Sequence, residues 1–439
     1  MYKAHNDSQV TPPAVKRIAW RLLPFLFLLY IVAFLDRMNV GAAALQMPAD
    51  LGFNDRVIGL GAGVFFIGYV LLEIPGALIA ELWSARRWIA RIMISWGLIT
   101  VLTGMIHTAR QFYLARFLVG AAEAGFFPAV IVYLTHWFRY GDRAKAVAVF
   151  YAANPLSYVI GSPLAGVFLG VTWFGLRGWR WLFIFEGIPA VVLGAIALFY
   201  LTDWPHQAAW LPLEERAWIT NELEREKQAK QKSKRIAIWQ ALAQRDVLLL
   251  TLAYFCATTG GYGIAFWLPT IVKRLSGQSD LHVTLIVSLP YIAGFVAQQV
   301  NAWHSDKTRE RRWHAGVAMF FSGFSLLFAV LFGSSLVFAV CLFSLVCAGY
   351  FSFHPAFWAV PTAFLSESAA AASIGLINSL GNLGGFFGPW VMGYLVQRTH
   401  SFNAGLLYLV GNLWLSGMLM LAVGVQRALS VTRTRSLER

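Results

Sequence analysis

Charged residues are scarce in this chain of 439 residues. Asp, Glu, Lys and Arg make up only 13% of the sequence, whereas 58% of the residues are hydrophobic. In soluble globular domains, about a quarter of the residues are charged. The shortage, together with a mean hydropathy of +0.60, excludes a water-soluble enzyme and a disordered chain and indicates a membrane protein.

Cysteine is also rare, and the usual patterns of catalytic and metal sites are missing. The three cysteines, Cys256, Cys341 and Cys347, lie in apolar runs without a CxxC spacing, so we expect neither a disulfide framework nor a zinc site. The sequence has no nucleotide-binding lysine motif, Ser-His-Asp grouping or metal-ligand cluster. We therefore expect no enzyme activity, catalytic residue, metal or cofactor. We also expect no cleaved signal peptide, because a full apolar span without a cleavage site follows residues 1–17.

Long apolar runs dominate the rest of the chain. A bilayer-spanning helix needs about 20 mostly apolar residues, and no strand pattern competes with these runs. The fold class predicted is an all-α membrane protein with twelve transmembrane helices. We place them near residues 20–44, 57–80, 88–107, 111–137, 146–171, 179–202, 246–271, 281–303, 313–333, 335–360, 371–396 and 403–426.

The basic residues are divided unequally between the two sides of the membrane. With alternating spans, 26 of the 35 lysines and arginines fall on the side of both termini, and seven fall on the other. Cytoplasmic loops are enriched in Lys and Arg, so we expect both termini in the cytoplasm and the protein in the inner membrane. The net charge of +14 then reflects topology and contact with lipid head groups, not nucleic-acid binding.

One long polar insert separates two sets of six spans. It includes an amphipathic helix after Pro212 and a mixed-charge run, which we interpret as a solvated linker rather than a binding tail. The organisation expected is a cytoplasmic N-terminal tail (1–17), a six-helix bundle (18–202), the linker (203–245), a second six-helix bundle (246–426) and a cytoplasmic C-terminal tail (427–439).

The two halves repeat three local patterns at nearly one offset. Any one match has little weight, but together they indicate duplication and two pseudo-symmetric six-helix bundles. Two such bundles around a midplane cavity can rock and expose it to alternate sides. The matching stretches are 81–88 with 306–313, 126–129 with 353–356, and Pro163 with Pro389.

The first of these patterns places an acid five residues before an arginine pair. An acid at one helix end and cations at the next can latch the cytoplasmic side shut, although ordinary basic flanking of spans is an alternative reading. The candidate gating residues are Glu81, Arg86 and Arg87 in the first half and Asp306, Arg311 and Arg312 in the second.

Ionisable residues inside the spans are costly, so they are candidates for function. Counting along the spans puts Asp36 and Arg37 at the level of Arg116. Glu123 is seven residues further on, on the same helix face and roughly 10 Å deeper. We expect these four side chains to converge on one side of a cavity. For Glu73 and Glu186, helix capping or gating is favoured over coupling.

Such a cluster fits proton-coupled transport of an anion. Arginine keeps its charge and binds carboxylates through a planar fork, whereas a carboxyl group can take up or release a proton when an anion changes its contact with arginine. A static buried network that only holds spans 1 and 4 together is the alternative.

Several stretches across nearly the whole chain resemble the major facilitator superfamily. The resemblance is to its anion:cation symporter branch, and most closely to bacterial tartrate transporters. The stretches are Phe34-Leu35-Asp36-Arg37-Met38-Asn39-Val40-Gly41 and residues 61–69, 85–93, 116–128, 178–187 and 377–385.

The resemblance implies uptake of an organic anion with protons by alternating access. It assigns proton coupling and anion recognition to the two Asp-Arg and Arg-Glu pairs of spans 1 and 4. We expect Asp36 and Glu123 to carry protons, and Arg37 and Arg116 to hold the carboxylate. By motif, further substrate contacts fall on Asn154, Trp358 and Asn378.

Our prediction is therefore a monomeric, proton-coupled importer of a small organic anion, either a tartrate-like hydroxycarboxylate or a sugar acid. An aromatic carboxylate or other organic acid as substrate, export by proton antiport, and a non-transporting membrane sensor are the alternatives. The partners expected are the anion, protons and membrane lipids.

Overall fold

The computed structural model describes residues 13–231, 244–333, 335–364 and 367–424. The parts of the predicted tails at 1–12 and 425–439, and the linker residues 232–243, lie outside the described residues. Within the described ranges the chain forms α-helices and short 3₁₀ turns, without a strand. This confirms the all-α prediction.

In the first half of the chain, the described residues form nine α-helices before the linker. Asn54, Ser84 and Thr108 accept hydrogen bonds from the backbone N–H groups of Val57, Arg87 and Gln111 and so cap three of them. The helices are α1 (Pro13–Ala43), α2 (Met47–Leu51), α3 (Asp55–Leu82), α4 (Ala85–Thr103), α5 (Ala109–Glu123), α6 (Phe126–Thr135), α7 (Tyr140–Tyr151), α8 (Ala153–Leu169) and α9 (Gly178–Tyr200).

In the second half, the described residues form seven α-helices after the linker helix α10 (Leu213–Gln231). Helix α10 packs beneath the first bundle, where Ile219 is buried and Glu215 pairs with Arg17 at 3.3 Å. The helices that follow are α11 (Arg245–Ser276), α12 (Asp280–Thr308), α13 (Arg312–Phe332), α14 (Leu336–Phe364), α15 (Glu367–Asn382), α16 (Gly384–Thr399) and α17 (Asn403–Ala422).

Ten of the described helical segments are long and apolar enough to span a membrane by themselves. Helix α4 and the pair α15–α16 supply the other two passes of the twelve-helix fold. Three spans are each built from two helices, α5–α6, α7–α8 and α15–α16. We call the membrane side where α1 begins and α17 ends the terminal face, and the other side the opposite face.

The two bundles approach each other closely near the opposite face. Gly41, Gly59 and Gly166 each lie within about one turn of a helix end on that side. A Cβ atom at Gly59 would lie 2.5 Å from the Pro389 carbonyl oxygen, and one at Gly166 would lie 2.0 Å from Thr284 Oγ1. Small residues allow this backbone approach, which is typical of helix packing in membranes.

Within the first bundle, α3 and α5 are held in register by glycine. A Cβ atom at Gly120 would lie 1.9 Å from the carbonyl oxygen of Phe65, which belongs to the rigid backbone of α3. The contact fixes the rotation of α5 and with it the direction of Arg116 and Glu123.

We expect Gly120→Ala to destabilise the protein by about 1–3 kcal/mol, because the methyl group must push α3 and α5 apart. The thermal midpoint in detergent measures the effect. Gly411→Ala is the matched control, since nothing lies within 4 Å of a Cβ atom there and alanine is the better helix former by up to about 1 kcal/mol. Equal midpoints for the two variants would contradict the packing argument.

Candidate functional site

A cavity lies between the two bundles near the middle of the spans. It leaves about 50 Å³ for the centre of a water molecule and is lined by both halves of the chain. Seven tyrosines and three asparagines contribute to its wall, so it combines rings with hydrogen-bonding groups. Among its lining residues, Arg37 and Glu123 are the ones that carry formal charge.

Arg37 and Glu123 form a buried ion pair on the wall of this cavity. The other guanidinium nitrogen of Arg37, Nη1, donates to the hydroxyl of Tyr262 from the second bundle at 3.1 Å. Rings of Phe34 and Tyr69 lie 4.7 and 5.0 Å from the guanidinium carbon and add cation–π attraction. Arg37 therefore touches both bundles at once.

The position of Glu123 follows from a break in span 4. Helix α5 ends at Glu123, and Gly125 takes a φ of 83° before α6 begins at Phe126. Only glycine adopts this left-handed conformation at little cost. The break leaves the Glu123 carboxylate at a helix end beside the cavity.

Asp36 and Arg116 lie behind the cavity wall, inside the first bundle. Trp96 Nε1 donates to Asp36 Oδ2 at 2.6 Å, and the Arg116 guanidinium carbon lies 4.9 Å from the centre of the Phe65 ring. Arg116 is close enough to both Asp36 and Glu123 to interact electrostatically. The four residues thus cluster, but only two of them reach the cavity.

Helix geometry explains this difference from the expected arrangement. Neighbouring residues on an α-helix point about 100° apart, so Asp36 and Arg37 face different directions. Packing turns Arg37 towards it and Asp36 towards α4. The roles predicted for the four residues remain predictions.

The three substrate contacts implied by resemblance, Asn154, Trp358 and Asn378, all line the cavity. Asn378 also donates a hydrogen bond from its side-chain nitrogen to Glu73. Glu73 is buried on α3, and α15 belongs to the second bundle. The contact joins the bundles on the terminal side of the cavity.

The candidate gating residues form contacts within each half. Asp306 pairs with Arg311 at 2.5 Å, and Arg312 donates to the Val423 carbonyl at 3.1 Å. In the first half, Glu81 is exposed and has no ion pair among the described residues.

Arg86, the expected partner of Glu81, pairs instead with Asp203 at 3.7 Å. The backbone N–H of Arg86 donates to the same carboxylate at 2.9 Å. Arg87 extends from the first turn of α4, where its backbone N–H donates to Ser84. Neither arrangement links the two bundles, because each contact stays in its own half of the chain.

The loop before α13 contains a further carboxylate with a structural task. Glu310 accepts hydrogen bonds from the backbone N–H groups of Trp313 at 2.7 Å and His314 at 3.1 Å. Burial alone raises the pKa of Glu310, but these two bonds and the His314 ring outweigh it and hold the pKa below the usual range. Glu310 therefore caps the N-terminus of α13.

Trp96 and Asp203 are functional partners that the sequence did not predict. They contact the candidate residues Asp36 and Arg86, but Trp96 is 60 residues from Asp36 and Asp203 is 117 residues from the Arg86 backbone donor. A lone indole in an apolar span and an acid at the start of a linker show no spacing signal.

Comparisons with known proteins agree with this architecture. Residues 26–389 match the Major Facilitator Superfamily. A "Putative tartrate transporter" of Agrobacterium vitis is 45% identical over 419 residues, covering 95% of this chain and 96% of the relative. A "Quinolone resistance transporter" of Acinetobacter baumannii is 39% identical, covering 90% and 91%.

Among solved structures, a D-xylose-proton symporter superimposes with a TM-score of 0.72 at 14% identity, covering 92% of this chain and 97% of the other. That likeness concerns the fold. The sequence matches show that this chain belongs to the Major Facilitator Superfamily and is a multi-pass membrane transporter, not an enzyme.

Proposed function

We propose that this protein imports a small organic anion together with protons, by alternating access. The observation that carries the proposal is the Arg37–Glu123 ion pair on the wall of the central cavity. An arginine there offers a fork for a carboxylate, and its present partner can be neutralised by a proton.

The pair provides a direct route to coupling. While Glu123 is ionised, it occupies the guanidinium of Arg37 and competes with any incoming anion. When Glu123 takes up a proton, Arg37 loses its charged partner, and a substrate carboxylate can replace it. Anion binding and protonation of Glu123 therefore favour each other, which is the reciprocity that symport requires.

Asp36 supplies a second candidate proton site, held by Trp96 and close to Arg116. With two sites, a dicarboxylate can enter with two protons without net charge movement. Entry with a third proton would add about 2.3 kcal/mol of driving force per 100 mV of membrane potential.

The substrate that fits this wall best is a hydroxycarboxylate of the tartrate or sugar-acid type. Asn154, Asn378 and the tyrosine hydroxyls offer donors and acceptors to substrate hydroxyls, while Arg37 offers the cation. The similarity to putative tartrate transporters supports the same class. The many rings make an aromatic carboxylate the main competitor.

For orientation we propose that the terminal face is cytoplasmic, in the inner membrane, and that the monomer is the transporting unit. The excess of Lys and Arg on the terminal side supports this orientation. The central cavity and its ion pair are contained within one chain.

Alternating access then requires the bundles to separate at the opposite face. Arg274 of α11 pairs with Asp55 of α3 at 2.9 Å there, and among the described residues this is the ion pair that joins the two bundles. It holds closed the side from which an imported anion would enter.

We expect Arg274→Gln to open the opposite face more often, by up to about fivefold, since exposed ion pairs contribute up to about 1 kcal/mol. The readout is the labelling rate of Ala42→Cys by a membrane-impermeant maleimide, in a background with Cys341 replaced by serine. Arg177→Gln is the matched control, because Arg177 pairs with Asp50 of its own bundle at 3.6 Å. Identical labelling of both variants would argue against this gate.

The proposed function is tested with purified protein in proteoliposomes. We expect uptake of radiolabelled L-tartrate to rise when the outside is acidified relative to the inside, and to fall when a protonophore removes the gradient. A thermal-shift screen of organic acids, including galactonate and benzoate, ranks the substrate classes. Uptake of tartrate that ignores the gradient would contradict proton coupling.

Export by proton antiport is the second candidate, favoured by the similarity to a relative named for quinolone resistance. In preloaded proteoliposomes, an exporter would release its cargo when the opposite-face side is acidified. An importer would accumulate it. The same vesicles, loaded with tartrate or with a quinolone, separate the two directions.

A further inference from the structure

A second cavity lies between the bundles, on the opposite-face side of the central one. It leaves about 40 Å³ for the centre of a water molecule, and Tyr158 lines both cavities. Thr284 and Tyr291 of the second bundle form part of its wall. Tyr158 therefore forms part of the wall between the second cavity and the substrate cavity.

This second cavity contains an amide from α1 and a carboxyl group from α9. Glu186 and Asn39 are 4% and 2% exposed, and both line the cavity. Glu186 Oε2 has no hydrogen-bond partner among the described residues. A buried carboxyl group with an unpaired oxygen in a membrane-spanning helix is energetically costly, so it is a candidate for a functional role.

Glu186 also lies close to the cluster behind the substrate cavity. Asn39 is one turn beyond Asp36 on α1, and Asp36 is the charged group that interacts with Glu186. Oδ1 of Asp36 likewise has no partner in the described part of the chain. Two carboxyl groups with a free oxygen each therefore face one region of the bundle.

No cation neutralises this pair from the side of the second cavity. Its lining residues include no Lys, Arg or His, α4 carries no ionisable residue between Arg91 and its end, and α8 contributes only Tyr158. From α12 the titratable neighbour is Tyr291. Arg116 of α5 interacts electrostatically with Asp36, whereas the charged group that interacts with Glu186 is Asp36 itself. A second negative charge on Glu186 is expensive to hold beside Asp36 away from water, so a proton on Glu186 is favoured.

We propose that Glu186 is a third proton-carrying group, which takes protons from the second cavity and passes them to Asp36 by a route that bypasses the substrate. The inference rests on the proposed proton coupling. A hydronium ion in the second cavity gives its proton to Glu186 and leaves water. The proton then moves to Asp36, so one carboxylate regains its negative charge as the other becomes neutral. Asn39 follows Asp36 by one helical turn and lines the same cavity as Glu186.

The test compares net uptake with exchange, using L-tartrate in proteoliposomes. In Glu186→Gln we expect acid-driven uptake to fall by about tenfold or more. Exchange of internal for external tartrate at equal concentrations should persist, because it needs no net proton movement. Glu186→Asp keeps a titratable group and should restore part of the acid-driven uptake.

The outcomes separate this inference from the proposed function. If the unaltered protein shows no acid-driven uptake, the proposed coupling fails, and the proton route fails with it. If the unaltered protein is acid-driven and Glu186→Gln is equally so, only the route through Glu186 is overturned.

Loss of exchange together with uptake in a folded Glu186→Gln protein would also overturn the route, by assigning Glu186 a structural task. Folding is checked by the thermal midpoint. Should the glutamine variant not fold, the pH profile of acid-driven uptake in Glu186→Asp decides, and an unchanged profile counts against the route.

Discussion

Replacing Arg37 by alanine is expected to weaken tartrate binding by about 100-fold, because each charge-assisted hydrogen bond contributes about 1.5–3 kcal/mol and 1.4 kcal/mol is tenfold in affinity. Arg37 is the permanently charged cation among the residues lining the cavity. Arg37→Lys keeps the charge but loses the planar fork, so an intermediate loss is expected. The thermal shift with L-tartrate and the initial uptake rate measure both.

The alanine variant needs a partner variant, since it leaves Glu123 buried without its cation. Breaking a buried ion pair from one side is strongly destabilising. In Arg37→Ala combined with Glu123→Gln, neither charge remains, so the protein is expected to fold and still not bind the anion. Tartrate binding by this folded double variant would show that Arg37 is not the anion contact.

The same measurements on Arg116→Ala test whether the second arginine also binds the anion, as the sequence predicts. In this structure Arg116 is 1% exposed and lies behind the cavity wall. An unchanged tartrate affinity would restrict the contact to Arg37.

Replacing Glu123 by glutamine is expected to remove the pH dependence of tartrate binding. An ionised Glu123 competes with the anion for Arg37, whereas a protonated one does not. Tartrate affinity is therefore expected to fall with rising pH in the unaltered protein. In Glu123→Gln the affinity is expected to stay, at every pH, at the value that the unaltered protein has at acidic pH. Binding titrations from about pH 5.5 to about pH 8 cover the range over which the group can act as a physiological switch.

Transport by the same variant should be uncoupled. Tartrate exchange persists, but acid-driven accumulation is expected to fall by about tenfold or more. Glu186→Gln is an informative comparison, because it should impair accumulation and leave the pH dependence of binding intact. A Glu123→Gln protein whose affinity still follows pH would transfer the competing role to another group.

Much of the fold could be predicted from the sequence. The apolar runs anticipate the spans, because backbone groups in lipid must bond within their own helix. The predicted number of twelve membrane passes was correct. It included α4 and the pair α15–α16, which are not among the ten segments that are long and apolar enough to span a membrane by themselves. The breaks at Gly125 and Leu383 were not predicted, since a glycine or a leucine in an apolar run predicts no break by itself.

The candidate site was predicted in part. Asp36, Arg37, Arg116 and Glu123 are all buried and close together, as their cost in a membrane and their depth along the spans suggest. Their partners were harder to find. Glu81 lies near Arg86 in the sequence, whereas Asp203 lies near it only in the folded chain. The structure shows that Asp203 is the partner of Arg86.

The sequence by itself determined that the chain spans a membrane repeatedly, that three local patterns recur in its two halves and that most of the buried ionisable side chains, Arg180 excepted, would be buried. Those properties depend on composition and spacing along the chain. Only the tertiary structure decided that Arg37 and Glu123 face the cavity while Asp36 and Arg116 lie behind it. A helix can turn about its own axis at little cost, and contacts such as Gly120 with Phe65 and Asp36 with Trp96 fix that rotation.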